Sequence, residues 1–132
     1  AYINWLWSAQ DIVSFCQGFS EPYMGAASFI QKKELRLKKV KLVKLTDSQN
    51  NEIPSMHPFC AGLVIRRIKC STHIKIFIAA IDGFIELIEV CDEDGQCLKD
   101  FITEGMRLYT PQKTLEEAIS YQVLIDGQGF RD

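Results

Sequence analysis

The groups that could do chemistry in this chain are few. Cys70, Ser71 and His73 form a nucleophile-and-base cluster. A strand there would put Ser71 and His73 on one face and Cys70 on the other, so the trio cannot act together. Asp92, Glu93 and Asp94 precede Gly95 and could supply paired carboxylates. Consecutive acids around a glycine read instead as a solvated turn, with nothing apolar nearby to raise a pKa. They also lack the alternating acids and distal glutamate of a calcium loop. His57 and His73 lie 16 positions apart with no Cys cluster at ligand spacing, which excludes a zinc site. No glycine motif that cradles phosphate is present, and Gly127-Gln128-Gly129 is only a fragment near the end. These residues predict no catalytic centre, no metal and no cofactor, and therefore a chain that is not an enzyme.

The charges carry more information than the net −2 suggests. Residues 32–75 hold 11 basic side chains against three acids, a local +8, whereas residues 76–132 hold four against 12, a local −8. Opposed halves of equal size predict a basic strand laid against an acidic one in a single sheet. The alternative is a basic face for a phosphate backbone, built from Arg36, Lys38, Lys39, Lys41, Lys44, Arg66, Arg67 and Lys69. No aromatic residue interleaves with the lysines of residues 32–44 to stack bases, so such binding would be weak and salt-sensitive.

Five cysteines, an odd number without a CxxC pair, predict free thiols and a reducing compartment, cytoplasmic rather than nuclear. The apolar stretches are too short to span a bilayer, so no membrane association is expected. At 132 residues and 15.1 kDa the chain is one domain, and its start at Ala1 within an aromatic cluster suggests a domain cut from a larger protein.

These groups must be positioned by a mainly β, α+β fold with an N-terminal helical segment over residues 1–31. Ser8 with Asp11 resembles a helix cap before Ile12, Val13, Phe15, Cys16 and Phe19. Pro22 suits the start of a second helix with its apolar stripe on Tyr23, Met24, Ala26, Ala27 and Ile30. From Leu35 the period shortens to a long strand with slips at Lys38-Lys39 and Leu42-Val43, and residues 46–55 read as a loop. Strands follow over residues 59–69, 73–81 and 84–90, the last two joined at Asp82-Gly83. A short helix is expected over residues 100–108, then a cap at Thr114 and a closing strand on Ile119, Tyr121, Val123 and Ile125. Together these elements predict a small antiparallel β-barrel over residues 35–125.

The hairpin from His73 to Val90, with the acidic turn Asp92-Glu93-Asp94-Gly95 and the segment after it, resembles Tudor and staphylococcal-nuclease-like modules. Residues 117–125, from Glu117 to Ile125, are similar to the segment that follows the core of extended Tudor domains. The resemblance covers residues 73–125. It implies a Tudor- or OB-like barrel that docks protein or peptide partners in an intracellular scaffold or ribonucleoprotein assembly. The aromatic cage of methylarginine readers is absent, because Asp94 and Gln96 stand where the family has an aromatic residue and Asn. The partner site is then expected at Trp5, Trp7, Phe77, Phe84, Asp92 and Asp94, with Phe130 at the far end. A homodimer through the long bulged strand is a further expectation, and nucleic acid binding is the alternative function.

Overall fold

A computed structural model describes residues 2–20 and 22–117. Helix α1 (Ala9–Gly18) is followed by β1 (Ala26–Ile30), β2 (Lys33–Val43), β3 (Leu45–Thr46) and β4 (Glu52–Ile53). A 3-10 turn at Pro58–Cys60 leads to β5 (Val64–Lys69), β6 (Ile74–Ala79), β7 (Phe84–Cys91) and β8 (Leu108–Tyr109). Residues 112–117 are helical. Six strands form one antiparallel sheet in the order β5-β6-β7-β2-β1-β8, and β3 pairs with β4 apart from it.

Helix α1 forms where the sequence places it. Ser8 accepts the Asp11 N–H through Oγ at 3.1 Å, and Asp82, at the β6–β7 turn, accepts the Ala9 N–H at 2.8 Å. Two of the helix's four orphan donors are thereby satisfied, one locally and one from 73 residues away. Ala9, Ile12, Val13 and Cys16 face the core, and the helix lies against β2 and β7.

The second expected helix does not form; its residues are β1. Gly25 has φ +93°, and a Cβ there would sit 3.0 Å from the Leu37 carbonyl oxygen, so the chain turns sharply before Ala26. Four of the five β1 residues are buried, and a strand covered on both faces loses the alternation that distinguishes it from a helix. Strand β2 has its expected slip at Lys38-Lys39, where the pairing with β7 shifts between Leu37 and Val40. The slip at Leu42-Val43 is absent: both residues pair regularly with Ile85 and Phe84. Within the expected loop, β3 and β4 make a small hairpin whose turn is held by Asp47, which accepts the Gln49 and Asn51 N–H groups.

Residues 100–108 are turns and the beginning of β8, not a helix. Gly105, at φ +88°, donates to the Val64 carbonyl, and Val64 donates to the Met106 carbonyl at 2.8 Å. The gain that overrides the helix is edge pairing. Leu108 donates to the Gly62 carbonyl at 2.8 Å, Gly62 donates to the Ala79 carbonyl at 2.7 Å, and Leu63 bridges Arg107. The sheet curls until its two outer strands meet along this seam. Residue 114 lies inside the last helical stretch and does not cap it, and the expected strand over residues 119–125 falls outside the described residues.

Two backbone positions give predictions of opposite sign. Gln31 and Lys32 hold φ +48° and +68° in the two-residue β1–β2 turn, where Asn-Gly is the favoured pair. Lys32→Gly should stabilise the domain by about 1 kcal/mol in urea unfolding, because a side chain in the left-handed region costs roughly that much. Gly62→Ala should destabilise it by at least about 2 kcal/mol, since the left-handed φ of +86° strains any side chain and the new Cβ would lie 2.1 Å from the Leu108 oxygen. Equal midpoints for the wild type and either variant would contradict the corresponding account.

Candidate functional site

A groove of about 310 Å³ opens along the seam, between the N-terminal segment and the outer strands. The chain enters as an extended segment: Tyr2 bridges Ala27, and Ile3 donates to the Ala27 carbonyl at 2.9 Å, continuing the β1 edge beyond the point where β8 leaves it. Trp5 forms the base of the groove. Its indole N–H donates to Ser28 Oγ at 2.9 Å, and the Ser28 hydroxyl donates to the Tyr109 carbonyl at 2.9 Å. Ser28 is fully buried and the one polar residue in the described core. Leu6, Phe59, Arg107 and Thr110 make up the rim, with Arg107 donating to the Ala61 carbonyl at 2.7 Å and Thr110 to the Ile3 carbonyl. Leu6 is 70% exposed and Phe59 83%, with Phe59 resting against the His57 ring at 4.6 Å. No nucleophile–base pair lines this groove, and the described residues hold no cluster able to bind a metal.

Of the described residues that the sequence nominated for a partner, Trp5 alone lines this groove. Phe77 and Phe84 are buried, on the face of β6 and β7 opposite Ile76, Ile78, Ile85 and Leu87, where Phe77 stands across from Glu86 and Phe84 across from Ala79. Trp5 is buried and bonded to Ser28. Trp7 packs edge-on against Phe15 at 5.0 Å, the first contact in an aromatic run through Phe19 to Tyr23. Asp92 spends its carboxylate on its own turn, accepting the Asp94 and Gln96 N–H groups at 2.8 and 2.9 Å, and Asp94 is exposed. These six residues form no common surface. Phe130 lies outside the described residues.

The basic residues are spread in the same way. Lys41 reaches Glu86 at 3.7 Å across the β2–β7 ladder, Lys39 stands opposite Glu89, and Arg36 pairs with Glu34 at 2.7 Å. Lys38 borders a separate groove between α1 and β2. Lys44 is exposed past the end of β2, and Arg66, Arg67 and Lys69 belong to β5, three strands away in the sheet. Lys39 and Lys41 thus face acids of β7, whereas Arg66, Arg67 and Lys69 stand opposite Phe77, Ile76 and Ile74 of β6, and these basic residues form no single cationic surface. Strand β2 pairs with β7 along Arg36–Val43 and with β1 only along Lys33–Leu37. At Cys70, Ser71 and His73 the chain makes the β5–β6 turn, where Thr72 and His73 hydrogen-bond at 3.0 Å. All five cysteines are free, and burial pushes the Cys16 thiol up to about 12.

The family model for the formyl transferase C-terminal domain matches residues 1–103, the segment that carries α1 and β1 to β7. The chain belongs to this family. No curated protein matches it. Membership corrects several expectations. The Tudor and nuclease-like resemblance rested on a hairpin and an acidic turn, which recur in many antiparallel sheets, whereas the match spans the helix and seven strands together. The scaffold and ribonucleoprotein reading falls with it, as does oligonucleotide binding. The expectation of a chain unconnected to enzymes is corrected too, since the family is named for formyl transferases. The fold remains mainly β, with one N-terminal helix and a curled antiparallel sheet. No helix among the described residues is long and apolar enough to cross a membrane.

Sequence reasoning missed Leu6, Phe59 and Arg107. Leu6 is a lone apolar residue between two tryptophans, and Phe59 opens the expected strand over residues 59–69 but lies in the 3-10 turn Pro58–Cys60. The only available signal was Pro58 directly before Phe59, a turn initiator that argues against a strand. The Trp5–Ser28–Tyr109 chain yields a test within this formyl transferase domain. Ser28→Ala should cost about 1–3 kcal/mol, because the buried indole N–H loses its only acceptor in the network. Trp5→Phe in the Ser28→Ala background should then cost less than Trp5→Phe alone, as a double-mutant cycle in urea would show. Additive costs would remove the chain from the account of the groove.

Proposed function

We propose that this domain serves an enzyme that moves a formyl group from a donor to a nucleophilic acceptor, and that its part is to hold the catalytic portion of that enzyme through the seam groove. The observation that carries the reading, beside family membership, is the pair Leu6 and Phe59. Both are large apolar side chains left mostly in solvent at one groove. Burying either would contribute about 1.5–3 kcal/mol, enough to make them anchors of a contact. Their support is rigid: Trp5 beneath them is bonded to Ser28, and Arg107 ties the rim to Ala61. Formyl transfer needs an acceptor that attacks the formyl carbon and loses a proton, and a leaving group that departs from the donor. A docking surface helps that step by fixing the geometry of the parts, which is where much of an enzyme's rate advantage lies.

In this reading the chain is one folding unit within a longer formyl transferase. The curled sheet closes into a small barrel of the OB type, supported by the bonds between residues 62–64 and 105–108. The protein partner is the enzyme's own catalytic portion, and the free thiols suit a reducing, intracellular setting.

Phe59→Asp and Leu6→Asp should lower formyl transfer by the parent enzyme about tenfold or more, as loss of a contact anchor does. The unfolding midpoint of the isolated domain should stay unchanged, because both side chains already lie in water. Full activity in both variants would remove the groove from the function.

A further inference from the structure

Cys91 ends β7, and Cys97 lies just past the acidic turn. The two are an isolated antiparallel bridge pair. Asp92 N–H donates to the Gln96 carbonyl at 2.9 Å, and Leu98 N–H donates to the Val90 carbonyl at 3.1 Å, so the two ladder bonds bracket the cysteines instead of joining them. Such a non-hydrogen-bonded pair has its Cα atoms about 4.5 Å apart and its side chains on the same face. Disulfides need Cα atoms about 4.4–6.8 Å apart. The turn that sets this register is firmly built: Asp92 accepts from Asp94 and Gln96, and Gly95 takes φ +85°. We infer that Cys91 and Cys97 are a redox-reactive thiol pair, which a small disulfide oxidant converts into a cross-strand disulfide at the stem of the acidic turn.

The two thiols differ in a way that orders the steps. Cys97 is exposed, whereas Cys91 is buried. Burial raises the Cys91 thiol, with Asp92 and Glu89 adding to the effect and Lys38 and Arg36 opposing it. Cys97 therefore attacks first. Its thiolate displaces one thiolate from the oxidant and forms a mixed disulfide. Cys91 then loses its proton and attacks the Cys97 sulfur, releasing the second thiolate. Two protein thiols are oxidised by two electrons in all, one oxidant disulfide is reduced to two thiols, and the two protein protons end on the released thiols. The other cysteines have no comparable partner. Cys16 packs in the core under α1 and Cys60 sits in the 3-10 turn. Cys70 borders the same surface hollow as Cys97, but its backbone is paired with His73 in its own turn.

The experiment uses the intact reduced chain and glutathione disulfide as the oxidant, with alkylation of remaining thiols and peptide mapping by mass spectrometry. The five thiols should fall to three, with Cys91 and Cys97 linked. Cys91→Ser should stop at a stable mixed disulfide on Cys97. Cys97→Ser, which replaces an exposed side chain, should form no intramolecular disulfide. Cys70→Ser should behave as the wild type. Asp92→Ala should slow closure several-fold at an unchanged circular dichroism spectrum, since it loosens the stem without touching either sulfur. The inference is overturned if the wild type halts at the mixed disulfide, if Cys97 links to Cys70, or if all five thiols persist at an oxidant level that modifies Cys97 in Cys91→Ser.

Discussion

Everything in this domain hangs on the meeting of two sheet edges. An open six-stranded sheet would expose unpaired N–H and C=O groups along β5 and β8. Here residues 62–64 are shared between two neighbours, with Gly62 donating to Ala79 on one side and accepting from Leu108 on the other. That double use needs a backbone in the left-handed region with no side chain in the way, and only glycine provides both. The core under α1, the bonded chain through Trp5 and Ser28, and the groove above it all presuppose this junction. The rim residue Arg107 is itself the partner of Leu63 across it.

The legible parts of the fold were those with local causes. Helix α1 announces itself through Ser8 and Asp11, the β6–β7 hairpin through Asp82-Gly83, and the first β2 slip through two consecutive lysines. What escaped notice was set by distant partners. Residues 26–30 carry an apolar spacing that suits a helix, and only the burial of both strand faces makes them β1. Residues 100–108 have helical character until the seam demands two residues of strand from them. The aromatic candidates failed for a related reason. Trp5, Phe77 and Phe84 look the same in sequence whether they fill a core or face a partner, and the residues that do face outward, Leu6 and Phe59, belong to no periodic pattern.

Charge shows the same logic more favourably. Lys39 and Lys41 of β2 meet Glu89 and Glu86 of β7 across the ladder, so charges from the two halves of the chain stand in opposed pairs there. Each exposed pair is worth little by itself. Their joint effect is on pairing choice, because a slip of β2 by one residue would set Lys41 against an apolar neighbour and turn Leu37 and Val40 out of the core. The charge asymmetry, which predicts a basic strand laid against an acidic one, acts on β2 and β7 as a register code.

The carboxylate of Asp82 couples the stability of α1 to a distant turn. A helix of 10 residues is marginal alone in water. One of the acceptors at its N-terminus arrives only when the β6–β7 hairpin has closed, far along the chain. Its apolar face likewise finds its cover only on β2 and β7. Helix α1 comes before every strand of the domain in chain order, yet its N-terminal acceptor lies on the β6–β7 turn. A persistent α1 therefore depends on a closed β6–β7 hairpin, which couples the start of the domain to its middle.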